Sequence, residues 1–373
     1  MALHPSALPD FPWDSLVPFR ERAAQHPGGI VDLSVGTPVD PTPQVVRDSL
    51  IAAADAPGYP QTYGTAPLRE TIAAWYARRR GVPDLDPAGV LPTIGSKELV
   101  ALLPALLGIG EGHTVVHPTA AYPTYDVGAR LAGATPRPAD DVDEWAGDRS
   151  VRLVWVNSPS NPTGDVLSRD GLRRIVEAAR EIGAVVASDE CYAELPWDEP
   201  WVTGGVPSIL DPEVAGGSHA GLLSVYSLSK QSNLAGYRAA FVAGDPALVK
   251  RLLEVRKHAG FIMPAPVQAA MAAALADDAH VTSQREVYRA RREALRPALE
   301  AFGFRVEGSQ AGLYLWSTRD EDCWDTLGEL ANRGIIAAPG EFYGEAARRH
   351  VRIALTSTDE RIGEAVRRLA NSE

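Results

Sequence analysis

Short apolar runs that end in glycine, proline or a polar residue alternate along most of the chain with longer stretches of helical spacing. Val90-Leu-Pro-Thr-Ile-Gly95, His113-Thr-Val-Val-His-Pro118, Val151-Arg-Leu-Val-Trp-Val156, Ala184-Val-Val-Ala-Ser-Asp189, Gly221-Leu-Leu-Ser-Val-Tyr226 and Tyr237-Arg-Ala-Ala-Phe-Val-Ala-Gly244 are too short for helices and too apolar for loops. They predict buried strands. Pro43–Ala54, Ala66–Arg80, Ser168–Gly183 and the stretches 246–258, 265–278 and 282–302 predict helices between and after them. Strands and helices in alternation predict a mostly parallel sheet covered by helices on both faces. Beyond residue 302 the rhythm changes. Short strands at Phe304–Glu307, Gly312–Trp316, Ile335–Gly340 and Val351–Leu355 predict a smaller α+β domain. The proline-rich residues 1–30 predict an arm with a short helix near Trp13–His26, and Ile30–Gly36 predicts one more strand. The expected division is therefore 1–32, an arm with part of the small domain; 33–275, the large domain; and 276–373, the small C-terminal α+β domain.

Composition narrows the class of function. A chain of 373 residues with 45% hydrophobic and 23% charged residues can bury a large core and is ordinary for a soluble globular protein. Its net charge of −12 comes without a basic run, which argues against nucleic acid and anionic membrane as partners. The N-terminus lacks the basic start and apolar core of a signal peptide, and no apolar run reaches membrane-spanning length. Two cysteines, Cys191 and Cys323, make no disulfide framework, so a reduced, cytoplasmic setting is expected. His113 and His117 share a predicted strand, about 13 Å apart at strand spacing, so no metal site is expected.

The chemistry gathers at Ser224-Val-Tyr-Ser-Leu-Ser-Lys-Gln-Ser-Asn-Leu-Ala-Gly-Tyr-Arg238. A predicted strand here breaks into small and polar residues around Lys230. A lysine at the end of a buried strand is costly unless it pairs or reacts. Desolvation favours its neutral amine, the form that attacks a carbonyl carbon. A surface loop whose lysine reaches back into water is the competing reading. Gly95-Ser96-Lys97 opens a predicted helix after a strand; its free N–H groups suit an anion, or are simply capped by Ser96. Asp189 ends a predicted parallel strand, where open α/β sheets place their ligands.

Four motifs then occur in order: Tyr59-x4-Gly64-x3-Leu68-Arg69, Asn161-Pro-Thr-Gly164, Asp189-Glu-Cys-Tyr192, and Ser227-Leu-Ser-Lys230 with Arg238. Over nearly the whole chain they resemble the class I/II pyridoxal-phosphate-dependent aminotransferases. The resemblance implies the aspartate-aminotransferase-like fold type I, with pyridoxal 5'-phosphate in the large domain. It implies that Lys230 carries the cofactor as a Schiff base and then shuttles a proton, with Asp189 paired to the pyridine nitrogen. Asn161 and Tyr192 are expected on the cofactor's phenolic oxygen, with Tyr122 stacked on its ring. Ser96, the backbone of Lys97, Ser227 and Arg238 are expected on its phosphate. Tyr59, for which Tyr63 is the rival, is expected to reach the phosphate of a second chain in a homodimer. Gly36, Asn161 and Arg352 are expected to hold substrate, Arg352 gripping the α-carboxylate with a two-pronged guanidinium. Without the resemblance, Tyr122 is a core aromatic and Arg352 an outward charge on a strand. Cys191 reads as packing.

Three functions share these residues. The first is an aminotransferase acting on small amino and keto acids, with glutamate and 2-oxoglutarate expected. The second is a lyase of the same fold, which releases ammonia. The third is a non-catalytic regulator module, which the acidic chain does not favour. Leu33–Pro43, Ser227–Arg238 and Arg256–Gln268 most resemble the actinobacterial type of succinyldiaminopimelate transaminase of lysine biosynthesis; aspartate-, alanine- and N-acyl amino acid transaminases are the alternatives. A succinylated substrate needs cations for its distal carboxylates, and Arg20, Arg22, Arg256 and Lys257 are the candidates.

Overall fold

The computed structural model describes residues 8–9 and 12–370, and the chain winds around a seven-stranded sheet. In spatial order the strands are Val90–Ile94, Ala239–Gly244, Leu222–Ser227, Val185–Asp189, Val151–Asn157, Thr114–His117 and Thr135–Pro138. Every neighbouring pair is parallel except those made by Ala239–Gly244, which runs against both partners. Leu222–Ser227 and Ala239–Gly244 are buried at every position, which explains apolar runs without alternation. Thr135–Pro138 is the strand that the hydrophobic pattern missed. It lies at the sheet's edge, half exposed, where proline removes no needed ladder bond.

The helices follow the expected spacing. Arg169–Ile182 starts at Ser168, whose hydroxyl accepts from the Gly171 N–H, and stops at Gly183 in the left-handed conformation (φ 72°). Its buried face carries Leu172, Val176, Ala179 and Ile182. Burying each larger side chain there is worth about 2 kcal/mol.

Residues 305–354 build a four-stranded antiparallel sheet in the order Ala338–Pro339, His350–Ala354, Tyr314–Thr318, Arg305–Glu307. The long helix Ala279–Ala301 and the helix Asp359–Ala370 pack on it, through a core of Tyr288, Leu295, Leu315, Ile353 and Ile362. The strand expected over Ile30–Gly36 shrinks to Val31–Asp32, paired in parallel with Ile335–Ile336. The chain stays extended beyond it, because Leu33 bonds Ile336 through its N–H and Ala354 through its carbonyl, both at 2.8 Å. Gly36 is thereby brought from this sheet to the mouth of the large one. In the arm, a 3-10 turn at Pro12–Leu16 precedes the helix Val17–Ala24. Leu16 is buried, and the Trp13 ring packs edge-on against Phe342 with centroids 5.2 Å apart.

Candidate active site

The carboxyl ends of the central strands open into a cavity of about 380 Å³. Of the sequence-predicted site residues, Gly36, Ser96, Lys97, Tyr122, Asn161, Asp189, Tyr192, Ser227, Lys230, Arg238 and Arg352 line it. Tyr59 does not. It stands fully exposed on the loop after the helix Gln44–Ala52, outside the lining of its own cavity. Tyr63 is held within its own chain, its hydroxyl donating to the Ala88 carbonyl and its ring lying 3.8 Å below the Arg69 guanidinium.

One end of the cavity is a cradle for an anion. The helix Ser96–Leu106 begins there after Gly95, whose φ of 76° only glycine adopts without strain. A Cβ at Gly95 would stand 2.1 Å from Arg238 Nη2 and would displace that guanidinium from the cradle. Arg238 itself sits in the left-handed region (φ 55°) and donates to the Ala235 carbonyl at 2.9 Å. Ser227 and Ser229, whose hydroxyls are 2.9 Å apart, complete this end. Open N–H groups at a helix start, two serine hydroxyls and one guanidinium are the donors a phosphate needs.

The floor is Asp189. Its carboxylate accepts from the Tyr125 hydroxyl at 3.0 Å and the Cys191 N–H at 3.2 Å. Burial pushes its carboxyl above the usual range, against the pull of these donors and the Cys191 thiol. A buried carboxylate of this kind calls for a cationic or N–H partner. Asn157, paired in register with Asp189, donates to the Asp189 and Pro159 carbonyls and accepts from the Asn161 N–H at 2.7 Å. It thereby fixes the turn that presents Asn161.

The remaining wall comes from the antiparallel sheet. Arg352 is buried, donates to Asn161 Oδ1 and the Ser34 carbonyl at 2.8 Å each, and keeps its Nε without a partner. Its guanidinium lies 3.8 Å above the Tyr314 ring. Lys230, half buried, reaches across to donate to the Gly36 carbonyl. The Tyr192 and Tyr314 hydroxyls are 3.1 Å apart. Burial holds the Tyr192 phenol well above its ordinary range. Burial also acts to raise Tyr314, but Arg352 and Lys230 outweigh it and leave that phenol lowered.

Trp13, Tyr125, Asn157, Ser229 and Tyr314 also line the cavity, and sequence reasoning had passed them over. Asn157 ends a strand just as Asp189 does, and Ser229 lies within the lysine motif, so both carried a signal. Tyr125, Tyr314 and Trp13 look like core aromatics in the sequence. The cations offered for distal carboxylates fare differently. Arg256 is fully buried and doubly bonded to Glu98 at 2.6 and 3.0 Å, an internal brace rather than a rim charge. Lys257 pairs with Glu254 at 2.8 Å, Arg20 with Asp32 at 2.7 Å, and Arg22 lies over the Phe19 ring. None of the four lines the cavity. Both described cysteines are free and buried, and no metal-holding group of side chains occurs among the described residues.

Residues 29–369 match the family described as aminotransferase class I and II. The chain is a class I/II aminotransferase. This aminotransferase is 60% identical to the 4-dedimethylamino-4-oxo-anhydrotetracycline transaminase OxyQ of Streptomyces rimosus, over 97% of this chain and 99% of that one. It is 57% identical to a probable aminotransferase of Mycobacterium tuberculosis, over 98% of this chain and 86% of that one. It superimposes on the N-succinyldiaminopimelate aminotransferase of Mycobacterium tuberculosis with a TM-score of 0.84 and 29% identity, covering 95% of this chain and 96% of that one. The family has fold type I and depends on pyridoxal phosphate, and the mostly parallel sheet covered by helices fits it. The aminotransferase's own residues fit that cofactor: an anion cradle whose Arg238 a Cβ at Gly95 would displace, a buried carboxylate at the floor, and a lysine amine in the same cavity.

Proposed function

We propose that this aminotransferase exchanges an amino group between glutamate and N-succinyl-2-amino-6-ketopimelate, the succinyldiaminopimelate step of lysine biosynthesis. The observation that carries the reading is Lys97. This residue lines the cavity and is exposed, with Nζ 6.0 Å from the centre of the Tyr122 ring, and it pairs with no carboxylate among the described residues. Arg352 serves the carboxylate beside the reacting carbon, so a second, unpaired cation suits a substrate with further carboxylates. The likeness to the N-succinyldiaminopimelate aminotransferase supports the same reading.

Pyridoxal phosphate, when bound, supplies the electron sink that makes a substrate Cα–H acidic. Lys230 Nζ would be the amine that holds the cofactor and, once freed by the substrate's amine, the base that takes and returns the Cα proton. Asp189 would pair with the ring nitrogen, and Asn161 and Tyr192 would serve the phenolic oxygen. Ser96, the Lys97 N–H, Ser227 and Arg238 would hold the phosphate, and Tyr122 would cover the ring. Arg352 exchanges its bonds to Asn161 and Ser34 for the substrate α-carboxylate, with the Gly36 N–H beside it.

We place the active form as a cytoplasmic homodimer. Tyr59 is free to serve a second chain's phosphate, and Val35, Val39, Val45 and Ile51 expose apolar surface on the segment leading to it. The two free thiols suit a reducing compartment. A single-chain solution mass with full activity overturns the dimer.

The 60% identity to OxyQ favours a second reading, a bulky ring ketone held by Trp13, Tyr122 and Tyr314. Steady-state rates with glutamate and a panel of acceptors decide between the two: the succinylated keto acid, pyruvate, oxaloacetate and a fused-ring ketone. Lys97→Met should raise KM for the succinylated acid about tenfold and spare pyruvate, as loss of one charged contact does. Equal use of pyruvate and the succinylated acid sinks the first reading, and preference for the ring ketone establishes the second.

A further inference from the structure

Tyr314 is the side chain on which the two halves of the cavity meet. It opens the strand Tyr314–Thr318, whose register places it opposite Ala354 while Arg352 lies opposite Trp316. Paired positions of an antiparallel sheet share a face, so Tyr314 and Arg352 point to the same side, and the guanidinium carbon lies 3.8 Å from the centre of the phenol ring. The hydroxyl at the far end of that ring is 3.1 Å from the Tyr192 hydroxyl. It also excludes any side chain at residue 36, where a Cβ would stand 2.0 Å from Tyr314 Oη. Gly36 in turn receives the Lys230 amine on its carbonyl. One residue thus touches the carboxylate clamp, the glycine beside it and the phenol aimed at the cofactor. Packing alone explains the ring. It does not explain the hydroxyl, since a phenylalanine would stack under Arg352 equally well.

We propose that Tyr314 is a positioning residue, whose hydroxyl donates to Tyr192 Oη and thereby turns the Tyr192 proton toward the cavity. A phenol has one proton to give. If Tyr192 spends it on Tyr314, none is left for an oxygen in the cavity. If Tyr314 gives, Tyr192 is free to donate, and is the better donor for being itself hydrogen-bonded. The surroundings select the second arrangement. The charged and titratable groups that bear on Tyr314 are Arg352, Lys230, Tyr192, Cys191, Tyr343 and Tyr288, and the two cations draw negative charge onto its oxygen. Arg352 bears on Tyr192 too, but its guanidinium lies over the Tyr314 ring, and at Tyr192 burial outweighs it and keeps that phenol protonated. The acidic phenol therefore donates and the reluctant one relays. The consequence is a mechanical link: the ring that holds the substrate clamp flat also sets the proton that Tyr192 offers to the cofactor.

This inference rests on the proposed contact of Tyr192 with the cofactor's phenolic oxygen, and the experiment separates the two. The holoenzyme's visible cofactor absorption is titrated with pH in the wild type, Tyr314→Phe, Tyr192→Phe, the double variant and Tyr343→Phe. A hydrogen bond given to the phenolic oxygen stabilises its ionised form, so weakening it moves the transition to higher pH. Tyr314→Phe should raise the midpoint by roughly half a pH unit, the size of a bond weakened rather than lost, and Tyr192→Phe by more. The double variant should match Tyr192→Phe, because the relay has nothing left to act through. Tyr343→Phe is the control: it removes a buried hydroxyl near Arg352 that has no hydrogen-bond partner, and should leave the midpoint in place. The absorption itself reports that each variant folds and binds cofactor. A shift in Tyr192→Phe without one in Tyr314→Phe overturns the relay alone, as does an equal Tyr314→Phe shift in the Tyr192→Phe background. No shift in Tyr192→Phe overturns the relay together with the contact it rests on.

Discussion

Ser227, Ser229, Lys230 and Arg238 lie within one short stretch, and Ser96 and Lys97 share one helix start, whereas Trp13, Gly36, Tyr314 and Arg352 meet from four separate parts of the chain. In the proposed reading the first group serves the cofactor and the second forms the substrate wall. Local geometry suffices for the first: a strand ends, a turn follows, and the freed N–H and hydroxyl groups point the same way. The second has no local cause. Arg352 reaches the Ser34 carbonyl across 318 residues of sequence, and its partners are fixed only when the antiparallel sheet docks beside the large one. A substitution in a wall made of distant contacts should leave the cofactor bound, whereas one in the locally built cradle should not.

Lys230→Ala tests the local side and carries the largest effect. Transamination should fall by about a thousandfold or more, because covalent attachment and proton transfer go together. Borohydride should then leave no cofactor on the chain; a label on any lysine other than Lys230 in the wild type sinks the assignment. Arg352→Lys tests the distant side. The ammonium cannot reproduce the two-pronged grip or the stack on Tyr314, so KM should rise roughly 10- to 100-fold for donor and acceptor alike. The variant should still bind cofactor and show its absorption, because the cradle is untouched. If cofactor is lost, the two walls are not separable and the comparison fails.

The smallest effect concerns the floor, which belongs to both. Asp189 has a folded-state pKa above its ordinary value, so the folded protein without cofactor binds its proton more tightly than the unfolded chain does. Stability is then greatest below the ordinary carboxylate pKa, falls as pH rises through the window up to the raised value, and stays low above it. Asp189→Asn should therefore raise the melting temperature of the cofactor-free protein by a few degrees at neutral pH and by nothing at pH about 3, while activity drops. A neutral-pH melting point that falls instead shows that the carboxylate is a structural anchor, not a group strained for its cofactor.

Much of this was legible in the chain. The strand ends that carry Asp189, Lys230 and Ser96 declare themselves because a buried parallel strand must be apolar and its ligand-facing end polar, a contrast visible residue by residue. The helix Arg169–Ile182 shows its serine cap, its glycine stop and its apolar stripe in plain order. Thr135–Pro138 did not show, because an edge strand needs no apolar face; nor did the shortening of the strand at Val31–Asp32, whose partner lies far away in sequence at Ile335–Ile336.

The chemistry of the residues, then, was set by short motifs, since hydrogen-bond donors at a turn act wherever that turn is placed. Which cation is spent on a carboxylate was decided only by the fold. Arg256 and Lys97 look alike in the sequence as cations beside apolar helices. Arg256 turns inward onto Glu98, while Lys97 is exposed beside the cavity and pairs with no carboxylate among the described residues. The same holds for Tyr314, an unremarkable aromatic in a strand until Tyr192, Gly36 and Arg352 close around it. Pairing is a property of distances between remote residues, and those distances are created by packing rather than by any neighbour in the chain.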